Sequence, residues 1–124
     1  MPAWSRTRAL VLALTLGSAA AGCASTGAQQ CSKADWYRIG LEDGRGGQPP
    51  EQFVQRWEAC NAHGVQIDRG QYAAGRAAGL RDYCTVTGGI DAGRHGLTYM
   101  NVCSEDSEED FLSGYYLGAL SPEE

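Results

Sequence analysis

Seven side chains in this 124-residue chain stand out as able to ligate, react or cross-link: Cys23, Cys31, Cys60, Cys84, Cys103, His63 and His95. No Ser, Cys or Asp stands in a recognised catalytic motif with either histidine. His63 precedes Gly64 at an expected helix end, where a cation is mildly favoured. His95, in Gly93-Arg94-His95-Gly96, sits beside irregular chain and is the one residue on which an enzymatic reading could rest. None of the thiols has the C-x-x-C spacing that zinc or redox chemistry prefers. The acids Glu105, Asp106, Glu108, Glu109 and Asp110 lack the alternating oxygen ligands and central glycine of a calcium loop, and read as a solvated helix start. A glycine-rich phosphate cradle needs a strand before it and a helix after it, which this pattern lacks. No metal, cofactor or catalytic residue is therefore expected. What remains for the thiols is cross-linking.

Which compartment the thiols meet is written at the start of the chain. Arg6 and Arg8 precede an apolar run from Ala9 to Leu16 and a small-residue tract ending Ala20-Ala21-Gly22-Cys23. Charge, short apolar run and small residues in that order make an export signal, and the run is far shorter than the ~20 apolar residues a transmembrane helix needs. Residues 1–22 are expected to be cleaved. A small residue, Gly22 and then Cys23 resembles the lipobox of bacterial lipoproteins, with Ala20 where leucine is commonest. That resemblance implies a diacylglycerol on the Cys23 sulfur, and Ala24 in place of Asp implies the outer membrane, facing the periplasm. Several acyl chains at ~0.8 kcal/mol per buried methylene hold a protein stably at a bilayer.

Removing residues 1–22 leaves 102 residues, one small domain, with 8 basic against 15 acidic side chains. Such an acidic domain excludes nucleic acid as a partner, because phosphate neutralisation needs a basic patch. Lipid, not charge, must provide the membrane attachment. Cys31, Cys60, Cys84 and Cys103 then form an even set in an exported domain, which reads as two disulfides.

The elements that position these thiols are marked by a repeated spacing. Tyr37, Gly40 and Gly44, then Tyr72, Gly75 and Gly79, then Phe111, Gly114 and Gly118 all stand at i, i+3 and i+7, one face of a helix. A shortened form occurs at Ile90, Gly93 and Gly96. Each helix would present an aromatic ring and two bare backbone patches, so that neighbours approach closely. The charges of Arg38, Glu42, Asp43 and Arg76 interleave the motifs, which places this packing in water rather than in a membrane. Residues 23–30 are expected to be the lipidated end and a flexible tether, 31–120 the helical domain and 121–124 a frayed tail.

Helix one is expected to start at a Ser32–Asp35 capping pair and end near Gly44, and helix two to run from Pro50 to His63. Helix three is capped by Asp68 and ends at Cys84. Thr85 to Gly89 reads as a loop, Ile90 to His95 as a single turn and Leu97 to Cys103 as extended, before a fourth helix through Phe111 to Leu120. The fold class is thus all-α, a four-helix disulfide-stapled domain. If helices one and two, and three and four, form antiparallel hairpins, Cys31 pairs with Cys60 and Cys84 with Cys103. Cys31 with Cys84 and Cys60 with Cys103 is the rival. Six glycines inside three helices cost roughly 6 kcal/mol relative to alanine, which two bridges at ~2 to 4 kcal/mol each would about offset. Most aromatic residues belong to the core, while Tyr99 and Tyr116 are candidates to line a ligand groove against bare glycine backbone.

The ordered set C-S-x-x-D-W-Y-x-I-G-x-x-D-G (31–44), the cysteine and H-G of 60–64, Y-x-x-G-R-x-x-G-L-x-x-Y-C (72–84), G-R-x-G-x-x-Y-x-x-V-C (93–103) and F-L-x-G-Y-x-x-G (111–118) resembles the small bacterial lipoproteins grouped as domain of unknown function 2799. The resemblance implies the lipid anchor and the four-cysteine framework, and carries no catalytic residues. The expected function is a non-enzymatic, lipid-anchored structural or protein-interaction module of the cell envelope, with an envelope protein or the cell wall as partner. The alternative is a binding protein for peptidoglycan fragments or another small envelope ligand.

Overall fold

A computed structural model of the chain describes residues 21–122, with side chains from residue 27 onward. Residues 1–20 of the expected signal segment, the Cys23 side chain and residues 123–124 lie outside this description. Six helices and no strand occur among the described residues: α1 (Ala21–Lys33), α2 (Trp36–Arg45), α3 (Glu51–Asn61), α4 (Arg69–Tyr83), α5 (Val86–Arg94) and α6 (Glu105–Ala119). The all-α class holds, with two helices more than the sequence suggested.

The frame is two parallel helix pairs welded through glycine. A methyl group on Gly40 would fall on the Tyr72 carbonyl oxygen, and one on Gly75 would fall on the Tyr37 carbonyl. One turn on, Gly44 meets the Arg76 carbonyl and Gly79 the Leu41 carbonyl. Residue numbers rise together along both helices, so α2 and α4 run parallel, and α3 with its flanking loops is the crossover between them. α5 and α6 repeat the arrangement, with Gly89 against the Phe111 carbonyl, Gly114 against Val86, Gly93 against Tyr115 and Gly118 against Ile90. At such approach a Cα–H of one helix faces a carbonyl of the other, a weak hydrogen bond repeated along the contact.

This pairing corrects two expectations. The fourth motif is Val86, Gly89, Gly93 rather than Ile90, Gly93, Gly96. Thr85 caps α5 by accepting from the Gly88 N–H at 3.0 Å, and Gly96 ends it in the left-handed region at φ 64°. The segment Thr85 to Gly89 is therefore a cap and a first helical turn, because the glycines that weaken it locally are what α6 packs against. The neighbours are also parallel rather than antiparallel. The pairing Cys31–Cys60 and Cys84–Cys103 nevertheless forms, by another route. Cys31 lies in α1, which it ties to Cys60 near the end of α3, while Cys84 at the end of α4 is tied to the segment leading into α6.

α1 replaces the tether expected at 24–30. Within it the Ser32 hydroxyl donates to the Gln29 carbonyl at 3.2 Å, and the His63 ring lies against Gly27, 2.8 Å from where a Cβ would stand. Since Ser32 is inside α1, the cap of α2 is Asp35, whose carboxylate accepts from the Arg38 N–H at 3.0 Å. Asp68 caps α4 as expected, accepting from the Gln71 N–H at 3.0 Å. Gly64 takes the left-handed conformation after α3, at φ 71°. Glu105, Asp106 and Glu108 occupy the first turn of α6, where the macrodipole favours them.

The motif aromatics are not equivalent. Phe111 is fully buried, with the rings of Tyr83 at 4.6 Å and Tyr99 at 4.7 Å, and joins Cys84 and Ala92 in the core between the two pairs. Tyr72 is buried on the α2–α4 side, but Tyr37 is 41% exposed. Tyr37 packs through its backbone, not its ring.

Candidate binding groove between α3 and α4

The welded pairs cover their own glycines with each other's backbone. Tyr99 is committed instead to the core edge, where its hydroxyl donates to Glu108 at 2.8 Å and accepts from the Cys103 N–H at 3.1 Å. Tyr116 stands in solvent. Of the several concavities among the described residues, one follows from how α3 is attached.

α3 contains no glycine and meets the pair through long side chains, Phe53 against Tyr72 and Arg56 against Asp43. It therefore reaches α2 and α4 by side chains alone. Asp43, one residue before the α2 glycine contact, is buried at 5% exposure. Its carboxylate accepts from Arg56 Nε at 2.8 Å and Nη2 at 2.7 Å and from the Tyr72 hydroxyl at 2.7 Å. Three helices meet at this one carboxylate. A bidentate guanidinium is the donor best matched to it, and removal of either partner would strand a charge. The Phe53 ring lies 4.9 Å from Tyr72 and carries the Arg69 guanidinium over its outer face at 5.4 Å.

The result is a groove of 460 Å³ whose walls include Pro50, Phe53 and Val54 of the α3 side and Tyr72, Ala73, Ala77 and Leu80 of α4, with Arg69 and Arg76 among its lining. Arg76 Nη2 donates to the Gln48 carbonyl at 2.9 Å, while its Nε is buried with no hydrogen-bond partner among the described residues. Groove volume and lining are those of a small-molecule site: mostly apolar, with a few fixed polar groups. Sequence reasoning missed it. The available signal was Arg69 and Arg76 seven residues apart on one helix beside apolar positions, a spacing that puts both on one face.

Burial pushes the Tyr72 hydroxyl up to about 12, with the Asp43 carboxylate adding to the effect, and the hydrogen bond to Asp43 raises Arg56. For Tyr72 the folded state holds its proton more tightly than the unfolded chain, whose tyrosines titrate near 10. Stability present below pH 10 is thus lost as pH rises through about 12. An alkaline denaturation series should show stability falling above pH 10, less steeply in Tyr72→Phe; equal slopes would contradict this coupling.

No group of His, Cys, Asp or Glu suited to a metal ion occurs among the described residues. His63 lies exposed after α3. His95 follows α5, with its Nδ1 2.8 Å from the Asp91 carbonyl oxygen and 3.5 Å from Asp91 Oδ1. The histidines are placed at two different helix ends.

The glycine-paired helices and the Cys84–Cys103 disulfide fall within the match to one family model, protein of unknown function (DUF2799), over residues 35–120. The chain belongs to this family. The matched region begins at the Asp35 cap of α2 and ends just past α6, so it takes in both DUF2799 helix pairs and leaves α1 outside. No curated protein and no solved structure gives a significant match.

Proposed function

We propose that this protein is a non-enzymatic interaction module, held by lipid on Cys23 at the outer membrane and facing the periplasm. The anchor rests on the charge, apolar run and Ala-Ala-Gly-Cys order of residues 6–23. Among the described residues no helix is long and apolar enough to cross a membrane, which is compatible with attachment by acyl chains. The observation that carries the interaction reading is on α6. Tyr116, Leu117 and Leu120 are 64%, 57% and 81% exposed at the end of a helix whose other face is locked to α5. Large apolar side chains grouped in solvent on a rigid element suit a protein partner.

Crosslinking and capture from the native envelope tests this. One protein recovered in stoichiometric amount with the wild type, and lost with both Cys23→Ser and the surface pair Leu117→Glu/Leu120→Glu, is the expected result. Recovery that is indifferent to both changes would defeat the reading. A second reading, a carrier or sensor of a small envelope ligand, is favoured by one observation, the α3/α4 groove.

A further inference from the structure

We infer that the α3/α4 groove binds a single-chain amphiphile with an anionic head, of the long-chain carboxylate type, with the head at Arg69 and Arg76 and the chain along α4. The inference rests on the small-ligand reading and names the ligand class.

Three observations carry it. The first is charge. In a chain with 15 acidic and 10 basic side chains, Arg38, Arg45 and Arg56 each have a carboxylate partner within 2.8 Å. Among the described residues Lys33, Arg69, Arg76, Arg81 and Arg94 have no carboxylate partner, and of these Arg69 and Arg76 line one groove: Arg69 lies over Phe53 and Arg76 holds the Gln48 carbonyl. The neighbouring Asp68 carboxylate is occupied in capping α4. Two guanidinium groups in the lining of one groove make it positive and complement an anionic ligand.

The second is the balance of donors and acceptors. The arginines offer N–H groups, including the unpartnered buried Nε of Arg76, whereas the Tyr72 hydroxyl already donates to Asp43 and the Pro50 carbonyl already accepts from Phe53 N–H. An extended peptide would bring its own backbone N–H groups into a site with few acceptors, and each left unpaired is costly. A carboxylate on an aliphatic chain brings acceptors only.

The third is shape. Ala77 and Leu80 line both this groove and the adjoining 540 Å³ depression that continues past Arg81 to Cys84 and Val102. The groove therefore continues along α4 past Arg76, where Leu80, Cys84 and Val102 supply apolar surface beside Arg81, Ser104 and Ser107, and this length suits a long chain better than a compact ligand.

The test is calorimetric titration of the folded, disulfide-intact protein with dodecanoate and with dodecanol, both below their aggregation limits. Dodecanoate should bind at least tenfold more tightly than dodecanol. Arg69→Gln and Arg76→Gln should each weaken dodecanoate by about tenfold, the size of one charge-assisted hydrogen bond, and leave dodecanol unchanged. Arg38→Gln, on the exposed face of α2, serves as the charge control, and Ala77→Trp should block both ligands by filling the floor. Melting curves establish that each variant is folded. Equal binding of dodecanoate and dodecanol, or binding that ignores the arginines, would overturn the anionic assignment while leaving a small-ligand site. No binding of either, or self-association of the protein that covers the groove, would overturn both.

Discussion

Gly75→Ala should unfold this protein at a temperature well below that of the wild type, although alanine is the better helix former. In an isolated helix the exchange would gain about 1 kcal/mol. Here the new methyl would fall on the Tyr37 carbonyl oxygen, with the Leu41 amide nitrogen 2.9 Å away. Both obstacles are backbone, so no rotamer change relieves them and α2 must move off α4. Overpacking of this kind costs typically 1–3 kcal/mol and more where the structure cannot yield, and we expect a net loss of about 3 kcal/mol. For a domain of this size that lowers the melting temperature by roughly 10–20 °C. Gly70→Ala, in the same helix, is the matched control: its methyl would find only Asp68 Oδ1, at 3.6 Å. That change should be neutral or stabilising by up to about 1 kcal/mol. Parallel thermal melts of the two variants decide the matter, and a Gly75→Ala protein as stable as Gly70→Ala would refute the welded-pair account.

Asp43→Ala should be the most damaging change outside the glycines. It removes the carboxylate shared by Arg56 and Tyr72 and leaves a guanidinium and a buried hydroxyl without their partner. Breaking a buried pair costs ~3–5 kcal/mol, and because the Arg56 side chain is 36% exposed, water recovers part of it; about 2–3 kcal/mol is expected. Arg56→Met should restore part of that loss in the Asp43→Ala background, since it deletes the stranded charge. Urea denaturation of the two single variants and the double variant measures the coupling. Strictly additive losses would mean that the pair does not hold α3 in place. The same variants bear on the groove, because Arg56 and Phe53 are the main side-chain ties between α3 and the helices behind it.

Gly75 and Asp43 also mark where sequence reading succeeded and where it stopped. The i, i+3, i+7 spacing identified the helix faces at Gly40/Gly44, Gly75/Gly79 and Gly114/Gly118, because periodicity is a property of one helix and needs no neighbour. The Asp68 cap, the acids opening α6 and the glycine after α3 were legible for the same reason, each being a contact within a few residues. α5 was misplaced because Thr85 to Gly89 carries two glycines that, taken alone, favour a loop; in the fold Gly88 lies against the Tyr83 carbonyl and Gly89 against the Phe111 carbonyl of α6, contacts that the local sequence does not reveal. α1 went unseen because small and polar residues at 24–30 give no apolar period, and it is tied to the rest of the fold by the His63 ring on Gly27 and by the Cys31–Cys60 bond, 29 residues distant in sequence.

The chain's own pattern thus determined the all-α class, the even cysteine set and the family, through local spacings that any partner would have to accommodate. Tertiary structure alone decided that the glycine helices pair in parallel, that Asp43 gathers α2, α3 and α4, and that α3 stands off far enough to leave a groove. The physical reason is one of range. A helix face or cap depends on residues within a turn of each other, whereas direction, register and the void between helices depend on which backbones can touch, and that is settled only when distant segments meet.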